Sequence, residues 1–379
     1  MVNFAKINFG ELNKPKCTIP IFPEILQTQT VCKYWDFFYI CLNKQNTYMD
    51  RKKFIQSAIG IPIAGALTAG VAGPFTSDII GNPLTHWLLN STSNSNTNPQ
   101  SMINTPSLSD LQALPTLTKA MPALFVGHGS PMNAIETNIF SQKWKQLGET
   151  LPTPVAILCI SAHWETYGTK ITAMDAPKTI HDFGGFPPEL FAVQYPAPGS
   201  PTLAITTQEL IKPNPIDLDH SWGLDHGCWS VIRCMYPKAN IPVLQLSLDR
   251  NKSTQQHLDL AKELIPLRKK GVMIVGSGNI VHNLGRVAWD RMNDPIFGFD
   301  WAEEARAAMK SKISNGDSKA LANPYQFGKA WELSIPTPEH YLPLLYTLGA
   351  QMPNETPAYF NDQCVLGSLA MTSFILGDA

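Results

Sequence analysis

Three histidines in this chain follow short apolar runs, and a fourth lies in a proline-rich turn. Residues 123–126 lead into Gly127-His128-Gly129, and residues 155–160 into Ser161-Ala162-His163-Trp164. Residues 272–275 run through Gly276-Ser277-Gly278-Asn279 to His282. His340 sits in Pro336-Thr337-Pro338-Glu339-His340-Tyr341-Leu342-Pro343, where the prolines fix the turn without a strand. A single histidine of this kind is more often structural than functional. Several delivered to one edge of one sheet point instead to a metal site, because neutral imidazole is the commonest protein metal ligand.

The elements that must position these side chains can be read from periodicity. Each apolar run reads as a buried strand, and in open α/β sheets ligands bind beyond the carboxyl ends of the strands. Gly127 and Gly129 leave little side-chain bulk around His128. Residues 208–211 close a helix that stops at Lys212-Pro213, 228–235 read as a helix, and 243–248 as a further buried strand. Residues 254–267 and 301–313 are amphipathic, the first with Ser253 as its cap. The order is mostly strand then helix, which predicts a single α/β domain with a central, largely parallel or mixed sheet flanked by helices.

Composition narrows the function classes. Hydrophobic residues make up 44% of the 379 and charged residues only 16%, enough apolar material for a large core. A formal net charge of −1 and the lack of a basic stripe give no electrostatic case for nucleic acid or an anionic membrane surface. None of the seven cysteines forms a CxxC pair, which removes zinc-ribbon and thioredoxin chemistry; Cys228 and Cys234 could pair in an exported protein. Ser130 lacks a G-x-S-x-G elbow, and the glycines at 276 and 278 do not complete G-x-G-x-x-G. His86, His220 and His257 carry only a structural reading.

The first third of the chain differs from the rest. Residues 1–48 lack sustained periodicity and precede Met49, so they read as an unstructured or non-native extension. Residues 49–75 resemble a signal leader: a charged start with Arg51-Lys52-Lys53, an apolar stretch of small residues, and Gly70-Val71-Ala72 as a cleavage site. The basic pair is twin-arginine-like with lysine second, which points to export to the periplasm, with a cytoplasmic location as the alternative. The stretch is too short and glycine-rich to span a membrane comfortably, and the competing reading is a buried or amphipathic helix. Residues 76–118 read as a polar linker, and 119–379 as the catalytic domain.

Seven motifs occur in succession. They are Gly-His-Gly-Ser-Pro-Met (127–132), Ser-Ala-His-Trp (161–164), His-Asp-Phe-Gly-Gly-Phe-Pro (181–187), Tyr-Pro-Ala-Pro-Gly (195–199), Gly-Leu-Asp-His-Gly (223–227), Gly-Ser-Gly-Asn-Ile-Val-His-Asn-Leu (276–284) and Glu-His-Tyr-Leu-Pro-Leu (339–344). In that order they closely resemble the class III extradiol ring-cleavage dioxygenases, specifically the 4,5-DOPA extradiol group. The resemblance covers 121 to about 375 and says nothing of residues 1–118.

The resemblance implies one mononuclear site for Fe(II) or Zn(II), with His128, His163 and His340 as ligands and His282 as a fourth ligand or the acid/base. In the wider class the third ligand is a glutamate; the matching turn here offers His340 with Glu339 beside it. A catechol must lose protons to chelate a metal, and a histidine can take and return them near neutral pH. His282 is the expected acid/base, His226 a second partner facing substrate, and His181 with Asp182 a catalytic loop over the pocket. Asn279 and Ser130 are expected to orient ligands. The implied partners are a small catecholic substrate and O2. The rivals are a zinc-dependent hydrolase using the same histidines and a non-catalytic binding protein like the Memo proteins.

Overall fold

The computed structural model describes residues 119–377, apart from 212–213 and 293. The expected extension, leader and linker, and with them the export reading, lie outside the described residues. Six strands form the central sheet: β1 (Ala123–Gly127), β2 (Ala156–Ser161), β3 (Val243–Gln245), β4 (Val272–Gly278), β5 (Ala358–Phe360) and β6 (Ser373–Leu376). Their spatial order is β3-β2-β4-β1-β6-β5. The first four are parallel, and β6 and β5 add an antiparallel edge beside β1, so the sheet is mixed and mostly parallel.

Alternation along each strand divides the core between two faces. Phe125, Leu158, Ile160 and Ile274 point into one apolar cluster, with Leu258, Leu344 and Leu345. Leu124, Val126, Ile157, Cys159, Met273 and Val275 point into the other, with Trp144, Trp229 and Ile232. Such side chains contribute roughly 1.5–3 kcal/mol each when fully buried, which makes the sheet a rigid platform. Helices α1 (Ile139–Thr150) and α2 (His226–Met235) cover one face, packed on each other, while α3 (Thr254–Lys262) and α5 (Leu342–Gly349) cover the other; α4 (Asp300–Ser314) lies between the last two in sequence.

Several sequence expectations are refined. Ser253 caps α3 in a reciprocal capping box with Gln256, but the helix ends at Lys262 and a short helix Ile265–Lys269 follows. Pro266 lacks the N–H that an uninterrupted helix would need. The strand expected over 243–248 divides into β3 and a short strand Leu248–Asp249, which pairs with Glu165–Thr166. Cys228 and Cys234 are free thiols. Six residues apart on α2, they lie about 240° around its axis from each other, which prevents their pairing. Among the described residues no helix is long and apolar enough to cross a membrane.

Candidate metal centre

Strand register brings the candidate residues together. Gly127 pairs with Gly278 and Ser161 with Ser277, so the carboxyl ends of β1, β4 and β2 stand level. His128 and His163 therefore leave the sheet side by side, and their Nε2 atoms lie 3.2 Å apart. His340 completes the group: one ring nitrogen from each of the three lies within 4.8 Å of the others. His340 comes from the turn before α5, whose close approach depends on glycine. A Cβ at Gly278 would stand 2.2 Å from the His340 carbonyl oxygen.

The outer nitrogens decide what the inner ones carry. Ser277 Oγ donates its only hydrogen to the Gly227 carbonyl at 2.5 Å, so at His128 Nδ1, 3.0 Å away, it can only accept. His163 Nδ1 faces Asp182 Oδ2 at 3.2 Å, and His340 Nδ1 faces Glu339 Oε1 at 3.4 Å. Carboxylates likewise only accept. A ring that donates from Nδ1 to such an acceptor keeps its other nitrogen, Nε2, as a free lone pair. Two lone pairs facing each other at 3.2 Å repel unless a cation sits between them. Ligand nitrogens about 2.0–2.1 Å from a tetrahedral metal are themselves roughly 3.3 Å apart, so the separation fits a divalent ion.

Electrostatics agree. Burial, followed by the neighbouring histidines His163, His226 and His282, holds His128 well below the ordinary imidazole range. His340 is lowered in the same way, first by burial and then by His282, His163, His128 and His226. Neutral rings are what a metal requires.

The remaining expected residues divide. The His282 ring stacks on His340 at 3.4 Å between centroids, and its ring nitrogens stay outside the trio that could share an ion. Burial lowers it to about 4, with His226 adding to the effect. His226 is the first residue of α2, its centroid 3.9 Å from that of His163. His181 is not brought to the cluster: its Nε2 donates to the Val193 carbonyl at 2.9 Å, and its ring packs against Phe183 and Trp229. Its Nε2–H helps to hold the loop at residues 181–187. Ser130 only caps its own turn, through Met132 N, whereas Asn279 accepts from Gly129 N and donates to Ala370 O, fixing the His128 turn. Glu339 steadies the His340 ring. His257 bonds Tyr346 between α3 and α5, a structural position.

Sequence reasoning overlooked a buried polar layer beneath the rings. Ser161 Oγ donates to Asp225 Oδ1 at 2.6 Å, and Gln245 Nε2 to Asp225 Oδ2 at 2.7 Å. Asp225 also caps α2 through Cys228 N at 3.1 Å, which fixes His226. Burial and the nearby Asp182 raise Asp225 to about 6, against the pull of Ser161, Gln245 and His226. The available signal was a polar residue within a fully buried strand, Ser277 above all.

Residues 122–311 match the family described as the catalytic LigB subunit of aromatic ring-opening dioxygenase. The chain belongs to the class III extradiol dioxygenases. Within them it groups with the 4,5-DOPA type: it is 48% identical over 261 residues, 68% of this chain and 95% of the relative, to the 4,5-DOPA dioxygenase extradiol of Escherichia coli K12. It is 36% identical over 233 residues, 60% of this chain and 85% of the relative, to the protein of the same name from Beta vulgaris. The dioxygenase fold is shared with a crystal structure of an uncharacterized Escherichia coli K12 protein, at TM-score 0.57 and 42% identity, covering 68% of this chain and all (100%) of that one. This extradiol dioxygenase is therefore an oxidoreductase that opens aromatic rings with O2, not a binding module.

Proposed function

We propose that the protein binds one divalent metal ion through His128, His163 and His340 and cleaves the ring of a small DOPA-like catechol. The observation that carries this reading is the 3.2 Å approach of His128 Nε2 to His163 Nε2, with the outer nitrogen of each ring facing an acceptor. A divalent ion held there would supply a centre for chelating the diol and engaging O2.

The chain's own residues supply the rest. His282 and His226 border the trio and are placed to take a proton from a substrate hydroxyl and return it to the opened product. His282, lowered to about 4, is neutral at pH 7 and so free to accept. Phe183 stands edge-on to His226 at 5.5 Å, with Phe186 at 5.4 Å from Phe183, an aromatic wall for a flat ring. In the reaction the carbon–carbon bond beside the diol breaks; one oxygen atom of O2 enters a carboxyl group and the other an aldehyde.

The test is oxygen uptake with L-DOPA after anaerobic loading with Fe(II) and, separately, Zn(II). Uptake with iron and a yellow semialdehyde product are expected. No uptake with either metal across several catechols would sink the substrate assignment.

A further inference from the structure

We infer that Asp182 is a positioning residue that sets both His163 and His226 with a single carboxylate, an inference that rests on the metal reading above. Its two oxygens divide the work. Oδ2 lies 3.2 Å from His163 Nδ1, while Oδ1 accepts the His226 backbone N–H at 2.9 Å and stands 3.0 Å from His226 Nδ1. The one carboxylate thus faces both imidazole rings, through a different oxygen for each. The side chain is only 17% exposed, which keeps water from competing strongly.

Three consequences follow from this geometry. A carboxylate at Nδ1 holds His163 in the Nδ1–H tautomer and leaves Nε2 bare toward His128. The same carboxylate ties the start of α2 to the ligand, which holds the His163 and His226 centroids 3.9 Å apart. Asp182 itself is held from both sides, by the His181 bond to Val193 and by Phe183 packed on Phe186 and Phe191. The loop 181–187 is thus the support of the metal centre as well as its aromatic wall.

The test uses the full chain, Zn(II) alone as the probe, and nitrogen NMR of the histidine rings in the metal-free protein. Asp182→Asn keeps an oxygen for the His226 N–H but presents an amide where His163 needs an acceptor; Asp182→Ala removes both. Each is expected to weaken Zn(II) binding 10–100-fold and to move His163 out of the Nδ1–H tautomer, with thermal unfolding near that of the parent. A merely structural role would leave the tautomer unchanged. Zn(II) affinity and His163 tautomer both equal to the parent's would overturn the inference. Failure of the parent itself to bind Zn(II) would overturn the metal reading instead, and the metal-free tautomer would still decide the part played by Asp182. If Asp182→Ala does not fold, the isosteric Asp182→Asn carries the test.

Discussion

The two ends of the sheet each bury a polar cluster, and they solve the cost of burial differently. At the amino end, the fully buried Arg268 donates to the carbonyls of Met121, Ala350 and Leu376 and forms a two-pronged pair with Glu355 at 2.5 and 2.8 Å. Every part of that guanidinium fork is answered from within the chain. At the carboxyl end, Ser277, Asp182 and Glu339 answer the outer nitrogens of three histidines and leave the inner ones turned on each other. One cluster closes on itself and holds the fold together, while the other converges three ring nitrogens on one point where a ligand could bind.

The sharpest way to break the contrast is at the amino end. Arg268→Met should cost about 3–5 kcal/mol in urea unfolding, because Glu355 and three carbonyls lose their partner at once. Its Zn(II) affinity per folded molecule should match the parent's; a loss of metal binding would show that the two ends are not independent.

At the other end the expected pattern reverses. Zn(II) at 100-fold its dissociation constant should stabilise the parent by about 2.7 kcal/mol in thermal unfolding, and His128→Ala should abolish that gain. Full metal occupancy in this variant would exclude His128 as a ligand. Ser277→Ala tests the support rather than the ligand: with His128 Nδ1 lacking its acceptor, Zn(II) binding should weaken about 10-fold, by calorimetric titration. An unchanged constant would mean that His128 keeps its orientation by packing alone.

A carboxylate belonging to neither end should give the smallest effect. Burial would raise Asp362, but Lys310, Arg306 and Thr372 outweigh it and lower it. A carboxyl lowered in the folded state adds stability above its unfolded value, near pH 4, and loses it as pH falls through the lower folded value. Asp362→Asn should therefore cost under about 1 kcal/mol at pH 7, with the gap closing below about pH 4 in pH-resolved urea titrations. A gap that persists in acid would show the effect is not electrostatic.

Much of this site is visible in residue order because strand ends are local features. A short apolar run followed by a glycine turn or a Ser-Ala-His-Trp step delivers a side chain to a predictable place, so β1 and β2 with His128 and His163 could be anticipated. Ser253 was likewise visible, since a capping box lies within four residues of chain. A mixed sheet was among the expectations, but the place of its antiparallel edge was not legible, because the pairing of β6 with β1 joins residues some 250 apart, such as Ala123 and Leu376, without a local signature.

The sequence by itself determined which residue types could meet at the candidate metal centre: histidines at strand ends, a His340 turn fixed by proline, and glycines where chain must approach chain. Only the tertiary structure decided which of those histidines face inward and which do not. His181 holds a loop, His282 stacks on His340, and Ser277, Asp182 and Asp225 contact the rings or the helix start that carries one. The physical reason is that a ring's tautomer and direction are set by what its second nitrogen touches, and those partners lie far away in the chain, at separations such as the 149 residues between His128 and Ser277.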